Sequence, residues 1–225
     1  MRIHGYNATS LVDYPGKVSF VIFSQVCNLR CFYCHNKALQ SDEGTGVPYA
    51  EVFTEIERRG KLIDGIVVTG GEPTIYDSLP SFLKQLKLLN LPIKLDTNGT
   101  SQTILQQVID EKLVDYIAMD VKATKLKYAR AAGAMVGIAG INRTIEMIKN
   151  SGIDYEFRTT IVPSLHEEAD IREIAEWISP AKRWALQQFR PGIWQENSYP
   201  AAQLERFAEI ARNVGKFGEV IVRHA

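Results

Sequence analysis

Apolar, β-branched runs alternate with helix-spaced segments along almost the whole chain, and this alternation limits the possible folds more than any other feature. Strand-like runs occupy residues 17–23, 64–69, 93–97, 115–121, 154–161, 183–189 and 218–223, each short, apolar and bounded by turn formers. Between them, Ile171, Ile174, Ala175 and Ile178 follow the spacing of a helix with one buried face, as do Leu204, Phe207, Ala208 and Ala211. Ile138, Ile141, Ile145 and Ile148 make a similar stripe. Gly60, Gly152 and Pro180 stand where helices should stop. A helix between consecutive strands is the connection that parallel pairing requires. A closed eight-unit barrel typically needs about 250 residues, whereas this chain has 225 residues and seven such runs. The expectation is an α/β fold, a partial open (β/α)6-type TIM barrel with mainly parallel strands, as a single domain over residues 1–225. Residues 1–16, 37–48 and 123–137 read as irregular, with 42–48 a glycine-rich, mobile loop.

The chain carries 26 basic and 26 acidic side chains, with 45% hydrophobic and 23% charged residues. That composition is ordinary for a globular protein, and the length suffices for a core without staples. Zero formal charge, without a run of like charges, gives no footprint for nucleic acid or an acidic membrane surface. No apolar run approaches the ~20 residues that span a bilayer, so neither nucleic acid nor membrane is expected as a partner. The N-terminus lacks an apolar signal-peptide core, which points to the cytoplasm.

All three cysteines of the chain, Cys27, Cys31 and Cys34, fall within eight residues, directly after the first apolar run. Four readings compete. Three buried small residues would not gather in one octapeptide beside polar neighbours. A disulfide is disfavoured by the odd count and a reducing compartment. Zinc could use Cys34 and His35 in a Cys3His shell, although adjacent residues have difficulty pointing at one ion. The fourth reading is a [4Fe–4S] cube, which ordinarily takes four thiolates. With three, one iron lacks a protein ligand and can bind substrate.

Cys27-Asn-Leu-Arg-Cys31-Phe-Tyr-Cys34 resembles the signature of the radical S-adenosylmethionine (radical SAM) enzymes. The resemblance implies that the three thiolates hold the cube while the amino and carboxylate groups of SAM chelate the fourth iron. Val26 stands where a glycine is common. Val12-Asp13-Tyr14-Pro15-Gly16 and Tyr33-Cys34-His35-Asn36 are similar to segments of the activases of glycyl radical enzymes, and Ser10 to Gly16 most resembles activators of anaerobic ribonucleoside-triphosphate reductase. By the same likeness Tyr33 contacts adenine and Asn36 joins the cofactor-binding set.

Further motifs follow later apolar runs. Thr69-Gly70-Gly71-Glu72-Pro73 is a sharp turn that lets backbone approach a ligand. The resemblance assigns Gly70, Gly71 and Glu72 to the methionyl ammonium. Asp96-Thr97-Asn98-Gly99 and Asp120-Val121-Lys122 end the next two runs. Alone, each could be a capping or Asx turn. On one rim of neighbouring strands, however, a lysine can hold the SAM carboxylate as a point charge, and Asp96 or Asp120 can accept from ribose or ammonium. Likeness to the activases adds a monovalent cation, Na+ or K+, held by Asp96, Thr97, Asp120 and the Ala118 carbonyl, since oxygen ligands suit a hard ion. Arg158 lies within a run and needs an anionic partner if it is buried; the SAM carboxylate or Glu72 is expected. Trp177, Trp184 and Trp194 read as packing, and His166 and His224 receive no role. Ligands of parallel α/β folds bind at the carboxyl rim of the strands, where all of these motifs fall.

The resemblance implies reductive cleavage of SAM to a 5′-deoxyadenosyl radical, which takes hydrogen from a glycine of a partner glycyl radical enzyme, with anaerobic ribonucleotide reductase expected. A low-potential donor such as flavodoxin or ferredoxin would supply the electron. Two alternatives stay open: a radical SAM enzyme acting on a small molecule, like 7-carboxy-7-deazaguanine synthase, and a non-catalytic iron-sulfur or zinc module.

Overall fold

The structure, a computed structural model, describes residues 1–190 and 197–224. Among the described residues, eight strands hydrogen-bond in chain order: β1 (Ile3–Tyr14), β2 (Lys17–Ser24), β3 (Gly65–Gly70), β4 (Ile93–Thr97), β5 (Tyr116–Asp120), β6 (Asp154–Ile161), β7 (Ala181–Gln188) and β8 (Phe217–Arg223). β1 runs antiparallel to β2. The pairs β2/β3, β3/β4, β6/β7 and β7/β8 are parallel. Helices α1 (Tyr49–Arg59), α2 (Leu79–Lys87), α3 (Gln102–Asp110), α4 (Tyr128–Ala132), α5 (Ile138–Asn150), α6 (Glu168–Ile178) and α7 (Ala201–Val214) fall between the strands. The fold is thus the open, mainly parallel α/β sheet that the alternation predicts. None of the described helices is long and apolar enough to cross a membrane.

The chain divides into two compact units, one of residues 1–28, 36–118 and 151–153, the other of residues 29–35, 119–150 and 154–225. In the first unit, Phe20, Val21 and Ile22 of β2 and Ile66, Val67 and Val68 of β3 are all fully buried, as strands covered on both faces must be. Tyr14, Val21, Val67, Tyr116 and Ala118 form a cluster against which Phe23 packs.

β1 corrects the expectation that residues 1–16 are irregular. Its burial does not alternate cleanly, and its pairing with β2 shifts register at three places, so no period-2 pattern marks it. Pro15 and Gly16 make the tight turn into β2, with Gly16 at φ 71, a left-handed conformation that glycine adopts at little cost. Tyr14 then drops into the core, 5% exposed.

In the second unit, the stripes Ile171, Ile174, Ala175, Ile178 and Leu204, Phe207, Ala208, Ala211 are buried, as are Ile141, Ile145 and Ile148, whereas Ile138 is half-buried. α4 occupies part of the 123–137 stretch that the sequence leaves irregular. Trp184 is a core residue whose indole donates to Thr159 Oγ1 at 3.0 Å. Trp177 packs edge-on against Tyr128, and Trp194 lies outside the described residues. Glu156, fully buried, accepts from both terminal nitrogens of Arg223 at 2.9 and 2.6 Å, the pairing that a buried carboxylate needs.

Candidate active site

In the first unit, candidate residues gather around the ends of β2, β3 and β4. Gly71 N–H donates to Ser24 O and Glu72 N–H to Val26 O, both at 2.9 Å, so the Gly-Gly-Glu turn is bonded to the segment that leads into Cys27. Glu72 is 1% exposed. Its Oε1 accepts from Thr74 N–H at 3.1 Å, Thr74 Oγ1 at 2.5 Å and Thr97 Oγ1 at 2.8 Å, and its Oε2 from Asn98 N–H at 2.6 Å. Burial pushes the Glu72 carboxyl up, and these donors oppose the shift. Asp96 accepts from the buried Lys94 ammonium and from Thr69 Oγ1 at 3.1 Å.

Asn98 is a functional candidate that the sequence did not single out. Its Nδ2 donates to Cys27 Sγ at 3.8 Å and to Asn28 Oδ1 at 2.9 Å, while Thr100 Oγ1 holds its Oδ1 at 2.6 Å. The sequence offered it only as part of a turn-forming tetrapeptide. Asn36 is exposed, and its carbonyl accepts from Leu39 N–H at 2.9 Å.

Val26 adopts a backbone conformation that favours glycine. Its φ is 62, a conformation that costs an L residue roughly 1–2 kcal/mol and a β-branched one no less. Val26→Gly should remove that strain while adding glycine's unfolded-chain entropy. The expected net result is a thermal midpoint at or above that of the wild type, read by calorimetry; a clear fall would mean that the valine side chain is worth more than the strain.

Other candidate residues lie in the second unit. Cys31 is 8% exposed; burial pushes its thiol up, with the Lys122 charge opposing. Cys34 N–H donates to Cys31 O at 3.1 Å, a tight turn. Tyr33, 7% exposed, packs edge-on against Phe32, and burial pushes its phenol up. At the end of β5, Asp120 accepts from Arg158 Nε at 2.8 Å and Lys122 Nζ at 3.2 Å. Burial alone would raise the Asp120 carboxyl, but these two cations override it and hold it at about 2. Burial works against the Lys122 charge as well, yet Asp120 keeps its ammonium well above the ordinary lysine value.

Arg158 has a carboxylate partner in Asp120, two residues before Lys122. The Lys122 charge of this cluster acts on Cys31. Asp96 pairs with Lys94, and Asp120 pairs with Arg158 and Lys122. Ala118 is buried in β5.

His166, given no role by the sequence, is fully buried in this unit, and burial holds its imidazole down at about 4. Lys127 and Asp170, paired at 2.8 Å, are the charged groups acting on it. Between pH 6.5 and about 4 the unfolded chain takes up a proton at this position that the folded chain does not. Stability is therefore fully present above this window and falls as pH drops through it, by about 3 kcal/mol at most. Urea midpoints between pH 7 and pH 4.5 should fall less steeply in His166→Gln than in the wild type; parallel slopes would refute the assignment.

A family model described as the radical SAM superfamily matches residues 21–178, more than half of the chain. The chain belongs to the radical SAM superfamily. A Methanocaldococcus jannaschii protein named for glycyl-radical enzyme activation is 33% identical to it over 223 residues, 96% of this chain and 91% of that protein. The pyruvate formate-lyase 1-activating enzyme of Escherichia coli is 27% identical over 180 residues, 75% of this chain and 71% of that enzyme. Among solved structures, Streptococcus suis SuiB bound to S-adenosylmethionine superposes with a TM-score of 0.68 at 17% identity, over 91% of this chain and 49% of SuiB. This chain thus spans about half of SuiB, and at that identity the likeness shows the fold.

Radical SAM enzymes use a [4Fe–4S] cluster and S-adenosylmethionine, and this chain presents the matching donor set. None of Cys27, Cys31 and Cys34 is in a disulfide. The Asn98 amide directed at Cys27 Sγ is a donor suited to a thiolate ligand, and the cationic group beside Cys31 favours its deprotonation.

Proposed function

We propose that this radical SAM enzyme activates a glycyl radical enzyme, with Cys27, Cys31 and Cys34 holding the cluster and anaerobic ribonucleotide reductase as the first partner to test. Similarity to a protein named for glycyl-radical enzyme activation, over 96% of this chain, carries the reading. When bound, the cluster and SAM supply a one-electron cleavage of the sulfonium S–C5′ bond, giving methionine and a 5′-deoxyadenosyl radical that takes a glycine hydrogen. The electron would come from a low-potential donor of the flavodoxin or ferredoxin type.

The chain's own residues bind and orient. Lys122, kept charged by Asp120, presents an ammonium to the SAM carboxylate, and Arg158 fixes Asp120 so that the ammonium is held in place. Gly70 and Gly71 bring backbone close to the methionyl ammonium, and Glu72, locked by Thr74, Thr97 and Asn98, adds a fixed negative end. Tyr33 offers a ring to adenine. Such fixed charges need no reorganisation when the reaction occurs.

The test is anaerobic reconstitution with iron and sulfide, then dithionite and SAM together with a candidate reductase. The expected result is 5′-deoxyadenosine plus a glycyl doublet in the electron paramagnetic resonance spectrum of the partner. Formation of 5′-deoxyadenosine without that doublet in any glycyl radical enzyme would replace this reading with small-molecule chemistry.

A further inference from the structure

Lys122 is held at its side chain by Asp120, and its backbone is held by a residue outside the mechanism above. His166 sits fully buried in the turn that follows β6. Val162 N–H donates to its Nδ1 at 3.0 Å. A backbone N–H can only donate, so Nδ1 is bare and the ring proton of the neutral imidazole is on Nε2. Nε2 lies 3.1 Å from the Lys122 carbonyl oxygen, which it reaches as a donor.

The ring is braced from its own backbone. His166 N–H donates to Val162 O at 2.8 Å, and Tyr199 Oη donates to His166 O at 2.9 Å. Tyr199 in turn packs edge-on against Phe207 of α7. The preceding peptide is fixed just as firmly: Val121 N–H donates to Arg158 O and Thr159 Oγ1 to Val121 O, each at 2.8 Å. The carbonyls of residues 121 and 122 are therefore each pinned by a side chain beyond the end of the β5 ladder.

We propose that His166 is a positioning residue for Lys122: as the Nε2–H tautomer it clamps the Lys122 carbonyl and so fixes the direction from which the ammonium meets a carboxylate ligand. The inference rests on the assignment of Lys122 to the SAM carboxylate. An outer partner of this kind typically changes affinity by about 10–100-fold when removed, and its loss should appear in ground-state binding more than in turnover at saturation.

The experiment measures kcat and KM for SAM in 5′-deoxyadenosine formation by the reconstituted enzyme, in parallel with 15N spectra of the His166 ring. His166→Asn can replace the acceptor for Val162 but falls short of Lys122, so its KM for SAM should rise about tenfold with kcat little changed. His166→Gln, with longer reach, should recover most of the affinity. The wild-type ring should show the neutral Nε2–H pattern at pH 7. A ring protonated on Nδ1, or a folded His166→Asn enzyme with unchanged KM while Lys122→Met raises it, overturns the inference. Should His166→Asn fail to fold, the ring tautomer and the His166→Gln KM decide. If Lys122→Met itself leaves KM unchanged, the Lys122 assignment fails first, and the ring spectrum still reports whether the clamp exists.

Discussion

Replacing Cys31 with alanine should abolish, in one step, the iron-sulfur absorption of the reconstituted protein and its formation of 5′-deoxyadenosine. Among the three thiols Cys31 is the buried one, and protonated it donates to Ala132 O at 3.8 Å. Its burial raises the thiol pKa, so taking up a metal must drive off its proton. The Lys122 charge lowers that cost. Removal leaves two thiolates in the chain, too few for a cube that ordinarily takes four and here has at most three. The substitution deletes one sulfur and adds no bulk, so far-ultraviolet circular dichroism should match that of the wild type. Iron and sulfide analysis provides the check. A Cys31→Ala protein that retained a full cluster and wild-type cleavage would remove the cysteine triad from the mechanism.

Much of this site was legible in the chain because each motif combines a strand signal with a turn signal. Gly70 to Glu72, Asp96 to Asn98 and Asp120 to Lys122 each follow an apolar run that the structure makes a strand, so their place at the carboxyl rim follows from periodicity alone. Partnerships were not legible, because they join residues far apart in sequence. Arg158 meets Asp120 across 38 positions and His166 meets the Lys122 carbonyl across 44, and nothing local marks either pair. Asn98 looked like turn chemistry, which it also performs, since Thr100 N–H donates to its Oδ1 at 3.0 Å.

β1 escaped for a different reason. Its neighbour on one side only and its shifting register leave polar side chains along much of its length, so propensity carries no signal. The Ser10 to Gly16 segment, which carries the resemblance to reductase activators, is in the structure the end of β1, with a hairpin turn and a core anchor in Tyr14. The partner itself needs the spectroscopic test.

Gly71→Ala is the second change with a large expected effect, and it tests whether the Gly-Gly-Glu turn and the entry to Cys27 move as one body. A Cβ at Gly71 would stand 2.0 Å from the Val26 carbonyl oxygen, 2.5 Å from its carbon and 2.9 Å from Leu39 O. All three are backbone atoms, so no rotamer change can relieve the clash. The Val26 carbonyl would have to leave its bond with Glu72 N–H, carrying Cys27 with it. Overpacking of this kind costs about 1–3 kcal/mol or more, and a displacement of about 1 Å at a reacting centre can cost a hundredfold in rate. Gly71→Ala should therefore lower the thermal midpoint and reduce SAM cleavage about a hundredfold, whereas Gly137→Ala, whose Cβ would meet nothing within 4 Å, should do neither. Because Val26 is itself held at φ 62, Val26→Gly gives that peptide room to turn, so the double variant Val26→Gly/Gly71→Ala should recover part of the loss. Strict additivity of the two changes would mean that the clash is relieved elsewhere, and that the turn does not fix the position of Cys27.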